Sequence, residues 1–197
     1  SRFVPGARDI ARRLTGLPLE RRLVGIVATL RSWKGHRYLI EALGRLPGDV
    51  GLVIVGDGPQ RQNIESKIRE LDLGERIWLA GNQENVLPWL QSLDVFALPS
   101  YANEGVPQAL VQAMLCGLPC VTTGSGGIGE IARDGATAIL VRAEDALDLK
   151  RGLERVLGDA ELRHRLGTAA RQYCAANLGV ETMLDRMEKV FRNVAHT

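Results

Sequence analysis

The loop Ser100-Tyr101-Ala102-Asn103-Glu104-Gly105-Val106-Pro107 sets one carboxylate beside a glycine and a proline, just ahead of an almost wholly apolar stretch, 109–116. Pro107 suits the first turn of a helix, and Gly105 lets backbone come close to a ligand. The free N–H groups of a helix N-terminus favour anions. With a carboxylate alongside, such a loop can hold sugar hydroxyls and a phosphate together. The local alternative is that Glu104 merely caps the helix. Eight positions on, Gln112 is the one long polar side chain in the apolar helix, and it needs ligand, water or backbone as a partner. A second polar segment is Thr29-Leu30-Arg31-Ser32-Trp33-Lys34-Gly35-His36. A lysine at the start of a helix is electrostatically misplaced unless an anion sits there, so Lys34 reads as a phosphate contact. His36 reads as a structural, hydrogen-bonding residue.

Two further loops carry glycines. Gly56-Asp57-Gly58-Pro59 follows an apolar run and opens a helical one, but Arg61 stands where a dinucleotide fingerprint requires its third glycine. Gly124-Ser125-Gly126-Gly127-Ile128-Gly129 does satisfy G-x-G-x-x-G, with Glu144 and Asp145 further on, which opens the alternative of a dinucleotide-dependent oxidoreductase. Against that alternative, the following helix has room for only about residues 128–133 before Asp134-Gly135 turns the chain, and a βαβ crossover normally needs ten or more. The glycines then serve backbone freedom.

The elements that must position these loops alternate. Apolar runs rich in Val, Ile and Leu occur at 23–30, 50–56, 76–81, 94–100, 118–123 and 137–141. They are continuous rather than alternating, as strands covered on both faces of a parallel sheet are. Helical periodicity separates them, and after 141 only helices are expected, at about 144–157, 160–176 and 180–195. The pattern predicts an α/β, Rossmann-like, doubly wound parallel sheet of about six strands in a single domain, with ligands at the carboxyl ends of the strands.

Composition narrows the function classes. The chain has 25 Lys plus Arg against 23 Asp plus Glu, a net charge of +2, and 5% aromatics. Neither a field for gripping nucleic acid nor a base-stacking platform is expected. No apolar run approaches the ~20 residues of a membrane span, so a cytoplasmic protein is expected. The basic opening, with Arg2, Arg8, Arg12, Arg13, Arg21 and Arg22, reads as a solvated surface. Three cysteines without a C-x-x-C pair, Cys116, Cys120 and Cys174, read as buried structural thiols.

In order along the chain, Ala28-Thr29-Leu30-Arg31-Ser32-Trp33-Lys34-Gly35, Gly56 to Pro59, Pro99 to Pro107, Gln112 to Val121 and Gly126-Gly127-Ile128-Gly129-Glu130 resemble five segments of one family. In that family they read G-R-L-x-x-x-K-G, G-D-G-P, P-S-x-x-E-G-x-P, E-A-M-A-x-G-x-P-V and G-G-x-P-E. The family is the retaining GT-B glycosyltransferases of family 4 (glycosyl transferases group 1), and the match is to their C-terminal, donor-binding half.

The resemblance implies transfer of a sugar from a UDP- or GDP-linked donor to an acceptor hydroxyl with retention, in cell-surface glycan or lipopolysaccharide synthesis. It implies neither a metal nor a cofactor, in keeping with a chain that has no Asp-x-Asp motif. By resemblance, Lys34 neutralises the diphosphate, Glu104 bonds the transferred sugar, and the amides of Gly105 and Val106 meet sugar or phosphate. Position 112 holds the ribose, and Asn82 and Gln83 border the nucleobase. Gln112 replaces a family glutamate, and Thr29 replaces a phosphate-binding arginine. Arg31 is expected to restore that cation if the segment is extended, since period-two alternation would set it on the side of Thr29.

Residues 1–5 resemble the end of an interdomain connector, so a missing N-terminal acceptor domain and a glycan or lipid-linked acceptor are expected partners. Peripheral attachment of the full-length protein to the inner face of the membrane is a further expectation. A non-catalytic nucleotide-sugar binder is the other reading, because Gln112 and Thr29 both soften the donor site.

Overall fold

The computed structural model describes residues 2–102 and 104–179, with 188 and 192. Six parallel strands form one sheet: β1 (Arg22–Val27), β2 (Val50–Val55), β3 (Ile77–Gly81), β4 (Val95–Leu98), β5 (Cys120–Thr122) and β6 (Ile139–Leu140), in the order β3-β2-β1-β4-β5-β6. Every one of the six apolar runs supplies a strand. Residues of β2 and β4 are buried throughout, which is why those runs carry no polar alternation. The order reverses between β1 and β4. Two neighbouring strands therefore feed helices on opposite faces, α2 (His36–Leu43) after β1 and α5 (Gln108–Leu115) after β4.

Helices α3 (Arg61–Glu70) and α7 (Ala146–Gly158) pack beside α2. On the other face α5 packs against α8 (Ala160–Asn177). Asp145 caps α7 by accepting from the N–H groups of Leu147 and Asp148, and Asp159 caps α8 by accepting from Leu162. The thiols of Cys116, Cys120 and Cys174 are buried as expected, and burial raises the pKa of all three. The apolar stripe expected on a last helix at Met183, Leu184, Met187, Val190, Phe191 and Val194 lies outside the described residues. Among the described residues no helix is long and apolar enough to cross a membrane.

One element departs from the sequence reading. The basic opening forms helix α1 (Arg8–Thr15), packed against α4 (Leu87–Gln91), and Arg12 is buried, 2% exposed, rather than solvated. Its guanidinium donates to the backbone carbonyls of Ser92 (2.9 Å) and Leu19 (2.6 Å) and pairs with Asp94 at 2.8 Å. Arg8 also pairs with Asp94, whose carboxylate accepts from the Leu23 N–H at 2.6 Å. A buried charge is tolerable because every direction of its fork finds an acceptor. This clasp ties α1 to the amino ends of β1 and β4, the rim opposite the loops that follow the carboxyl ends of those strands.

Candidate functional site

The crevice at the reversal point between β1 and β4 is built by backbone packed on backbone. After β1 the chain closes a three-residue turn, the Arg31 N–H donating to the Thr29 carbonyl at 2.7 Å. A single turn of 3-10 helix, Ser32–Lys34, follows and ends at Gly35, whose φ is +76°. A Cβ at Gly35 would lie 2.1 Å from the Pro99 carbonyl oxygen. Only glycine permits both that φ and that approach. The Tyr101 N–H then donates to the Trp33 carbonyl at 2.9 Å, so the loops after β1 and β4 are tied together.

This contact brings Lys34 and Glu104, 70 positions apart in sequence, into an ion pair: Nζ to Oε1 is 2.6 Å. The Glu104 side chain is 4% exposed and that of Lys34 19%. Removing either partner would leave the other largely out of solvent with no opposite charge beside it. Glu104 does not cap α5, which has no side-chain cap. The backbone N–H groups of Gly105 and Val106, at the exposed mouth of that helix, donate no hydrogen bond among the described residues. They are available to an anion. Gln112, further along α5, is half-buried, and its amide makes no hydrogen bond among the described residues.

The G-x-G-x-x-G loop has a structural task. The Gly127 N–H donates to the Glu104 carbonyl at 3.0 Å, and a Cβ at Gly126 would stand 2.2 Å from the same oxygen. Its glycines seat the Glu104 loop from the β5 side. The helix that follows, α6 (Ile128–Ile131), has four residues, and the acidic residues beyond are occupied, Asp145 by its cap and Glu144 by the Tyr38 hydroxyl at 3.0 Å. The oxidoreductase alternative loses both parts of its fingerprint. Gly58 plays a similar part on the β2 side, where a Cβ would lie 2.8 Å from the Leu30 carbonyl oxygen.

Thr29, Asn82 and Gln83 line one small cavity of about 150 Å³ with Gly56 and Asp57, at the carboxyl ends of β1, β2 and β3. Gln83 is held by a bond from its amide to the Ala80 carbonyl at 2.7 Å. Arg31 is not with them. The turn at Thr29 breaks the alternation on which that expectation rested, and Arg31 stacks over Trp33, its guanidinium carbon 5.6 Å from the ring centroid, bordering a different cavity. Its expected place beside Thr29 is thereby corrected. His36 is buried, and burial, helped by Lys34, pushes its pKa down to about 4 against a hydrogen bond with the Arg31 backbone. Sequence reasoning passed over the aromatic residues at this rim, Tyr38 and Tyr101, packed edge to face with centroids 6.1 Å apart. The signal available was that Tyr101 lies within the Glu104 loop.

Residues 7–173 match the family described as Glycosyl transferases group 1. The chain is similar to a lipopolysaccharide core biosynthesis glycosyltransferase, LpsE, of Rhizobium meliloti, with 33% identity over 152 residues, 77% of this chain and 44% of that protein. To the N-acetyl-alpha-D-glucosaminyl L-malate synthase of Bacillus anthracis it is 27% identical over 181 residues, 91% of this chain and 47% of that one. Among solved structures it superposes on sucrose-phosphate synthase from Thermosynechococcus elongatus with a TM-score of 0.88 at 27% identity, covering 98% of this chain and 50% of the other. It superposes on Anabaena HepE in complex with UDP and glucose with a TM-score of 0.90 at 23% identity, 97% of this chain and 54% of that one, a likeness of fold. The chain spans about half the length of the curated relatives it matches.

Proposed function

The chain belongs to the glycosyl transferases group 1 family, and on that premise we propose that it is the donor-binding half of a retaining glycosyltransferase. It would take a sugar from a nucleoside diphosphate sugar, UDP- or GDP-linked, for transfer to an acceptor hydroxyl held by a second, N-terminal half. The observation that carries this reading is the Lys34–Glu104 pair at 2.6 Å beside the Gly105 and Val106 amides, which donate no hydrogen bond among the described residues.

The order of the strands supports the direction in which the donor lies. From β3 to β4 is three strand spacings, about 14 Å. The base would sit by Asn82 and Gln83, the ribose against Gln112, and the diphosphate between Thr29, Lys34 and the Gly105 and Val106 amides. Glu104 would accept hydrogen bonds from hydroxyls of the transferred sugar. As the glycosidic bond breaks, charge grows on the leaving diphosphate. Lys34 and the Gly105 and Val106 amides would stabilise it without reorganising, since loop packing already fixes them. Lys34 would then be shared between carboxylate and phosphate. Synthesis of cell-surface glycan or lipopolysaccharide is the pathway we favour, supported by the relative named for lipopolysaccharide core biosynthesis.

Calorimetric titration of the chain with UDP, GDP, ADP and their glucose conjugates tests the reading. Binding of at least one of these without transferase turnover is expected. Failure to bind any, or robust sugar transfer by these 197 residues alone, overturns it.

A further inference from the structure

A second cavity, about 480 Å³, opens on the α2 and α3 face of the same rim and contains none of the donor-site residues. Its walls include Arg31, His36, Tyr38, Gln60, Asn63 and Tyr101. That size and mixture, aromatic surface with a few convergent polar groups, is what small-ligand sites have. Arg37 and Lys67 border it too, but they pair with Glu41 and Glu70. Arg31 has no acidic partner among the described residues and presents its fork beside Trp33. A guanidinium so placed suits a phosphate or carboxylate.

The polar wall is built for hydroxyls. The Asn63 amide donates to the Gln60 side-chain oxygen at 2.8 Å, which leaves the Asn63 oxygen and the Gln60 N–H groups available. The aromatic wall is rigid: Tyr38 is fixed by its bond to Glu144, a residue in the left-handed region (φ +59°), and by the edge contact with Tyr101. An aromatic surface of this kind covers the C–H face of a pyranose ring. Ser32, in the same 3-10 turn as Lys34, and Tyr101, in the same loop as Glu104, both line the cavity.

We propose that this cavity binds an anionic sugar, phosphorylated or carboxylated, belonging to the acceptor. The assignment rests on the donor reading above for its function, though not for its binding chemistry. A free sugar phosphate acting as an effector shares that chemistry, so the experiment separates the two.

The chain, with and without saturating UDP, is titrated with glucose 6-phosphate, methyl α-D-glucoside 6-phosphate, glucose and inorganic phosphate. Both sugar phosphates are expected to bind in either condition, at least about tenfold more tightly than glucose or phosphate. Arg31→Ala and Asn63→Leu should each weaken them about tenfold. The Asn63→Leu chain should bind UDP unchanged. Competition between UDP and the sugar phosphates, equal binding of inorganic phosphate, or indifference to both substitutions overturns the proposal. Binding of glucose 6-phosphate but not of its methyl glycoside overturns the acceptor assignment, because an acceptor sugar is linked onward at that carbon. Loss of UDP binding alone would sink the donor reading while the sugar-phosphate arm still decides this one.

Discussion

Lys34 and Glu104 meet across the junction of β1 and β4 at 2.6 Å, each supplied by a loop whose backbone touches that of the other at Gly35 and Pro99. The pair joins a cation suited to a diphosphate to a carboxylate suited to sugar hydroxyls. It also ties the stability of the site to its chemistry, since removing either partner strands the other in a nearly dry place.

Lys34→Ala should therefore weaken binding of UDP and of UDP-glucose about tenfold or more, from the ~1.5–3 kcal/mol of a charge-assisted contact. It should lower the thermal midpoint as well. Lys34→Met combined with Glu104→Gln should recover the midpoint without the affinity. Arg31→Ala should leave UDP affinity within twofold. Calorimetry and thermal unfolding on the same samples check all of these, and a donor affinity indifferent to Lys34 would remove it from the site.

At position 112 the amide makes a neutral contact where a carboxylate would make a charge-assisted one. Gln112→Glu should tighten UDP binding by about 1 kcal/mol, roughly fivefold, by accepting from ribose hydroxyls. Uridine diphosphate compared with its 2′,3′-dideoxy analogue reads this directly. The gain should vanish with the analogue.

Gly35→Ala combines a left-handed φ, worth ~1–2 kcal/mol for a residue with a Cβ, with an atom placed 2.1 Å from the Pro99 oxygen. Stability should fall by at least that amount, and donor affinity should fall with it because the two loops must part. Gly16→Ala, also at a left-handed φ but with open space around its Cβ, is the control. It should cost only the conformational part and leave donor binding intact.

Arg12→Leu removes one half of a clasp at the far rim. Asp94, still held there, loses the buried member of its two arginine partners, and a cost of ~3–5 kcal/mol is expected. The UDP affinity of the folded fraction should not change, because the clasp lies at the opposite ends of the strands. Denaturant unfolding and UDP titration separate the two effects.

His36 sets a pH dependence. Its ring is held neutral, with a pKa near 4 in the folded chain against about 6.5 unfolded, so between those values the unfolded state binds more protons. Stability is fully present above about pH 6.5 and declines as pH falls towards 4, by about 3 kcal/mol in all. His36→Leu should flatten that part of the curve. An unchanged slope in the variant would assign the acid sensitivity to other groups.

The strands were legible because burial on both faces leaves unbroken apolar runs, and the two site loops because Lys34, Glu104 and their glycines sit at strand ends. What stayed hidden depends on tertiary pairing or on a single dihedral. Helix α1 carries three arginines in eight residues, and no periodicity rule anticipates that Arg12 is interior; its acceptors lie 7 to 82 positions away. The side taken by Arg31 depends on one turn at Thr29, which period-two reasoning cannot detect. The cavity beside α3 joins residues from four separate segments, and no local motif marks it.

Three glycine contacts hold the rim together: Gly58 on Leu30, Gly35 on Pro99 and Gly126 on Glu104. Main chain set against main chain leaves these loops few alternative conformations, so most of their ordering entropy is lost when the chain folds and little would remain to be lost on binding the proposed nucleotide. Such a rim can be recoded for another base or sugar by exchanging outward-facing side chains, because the scaffold beneath does not depend on their identity.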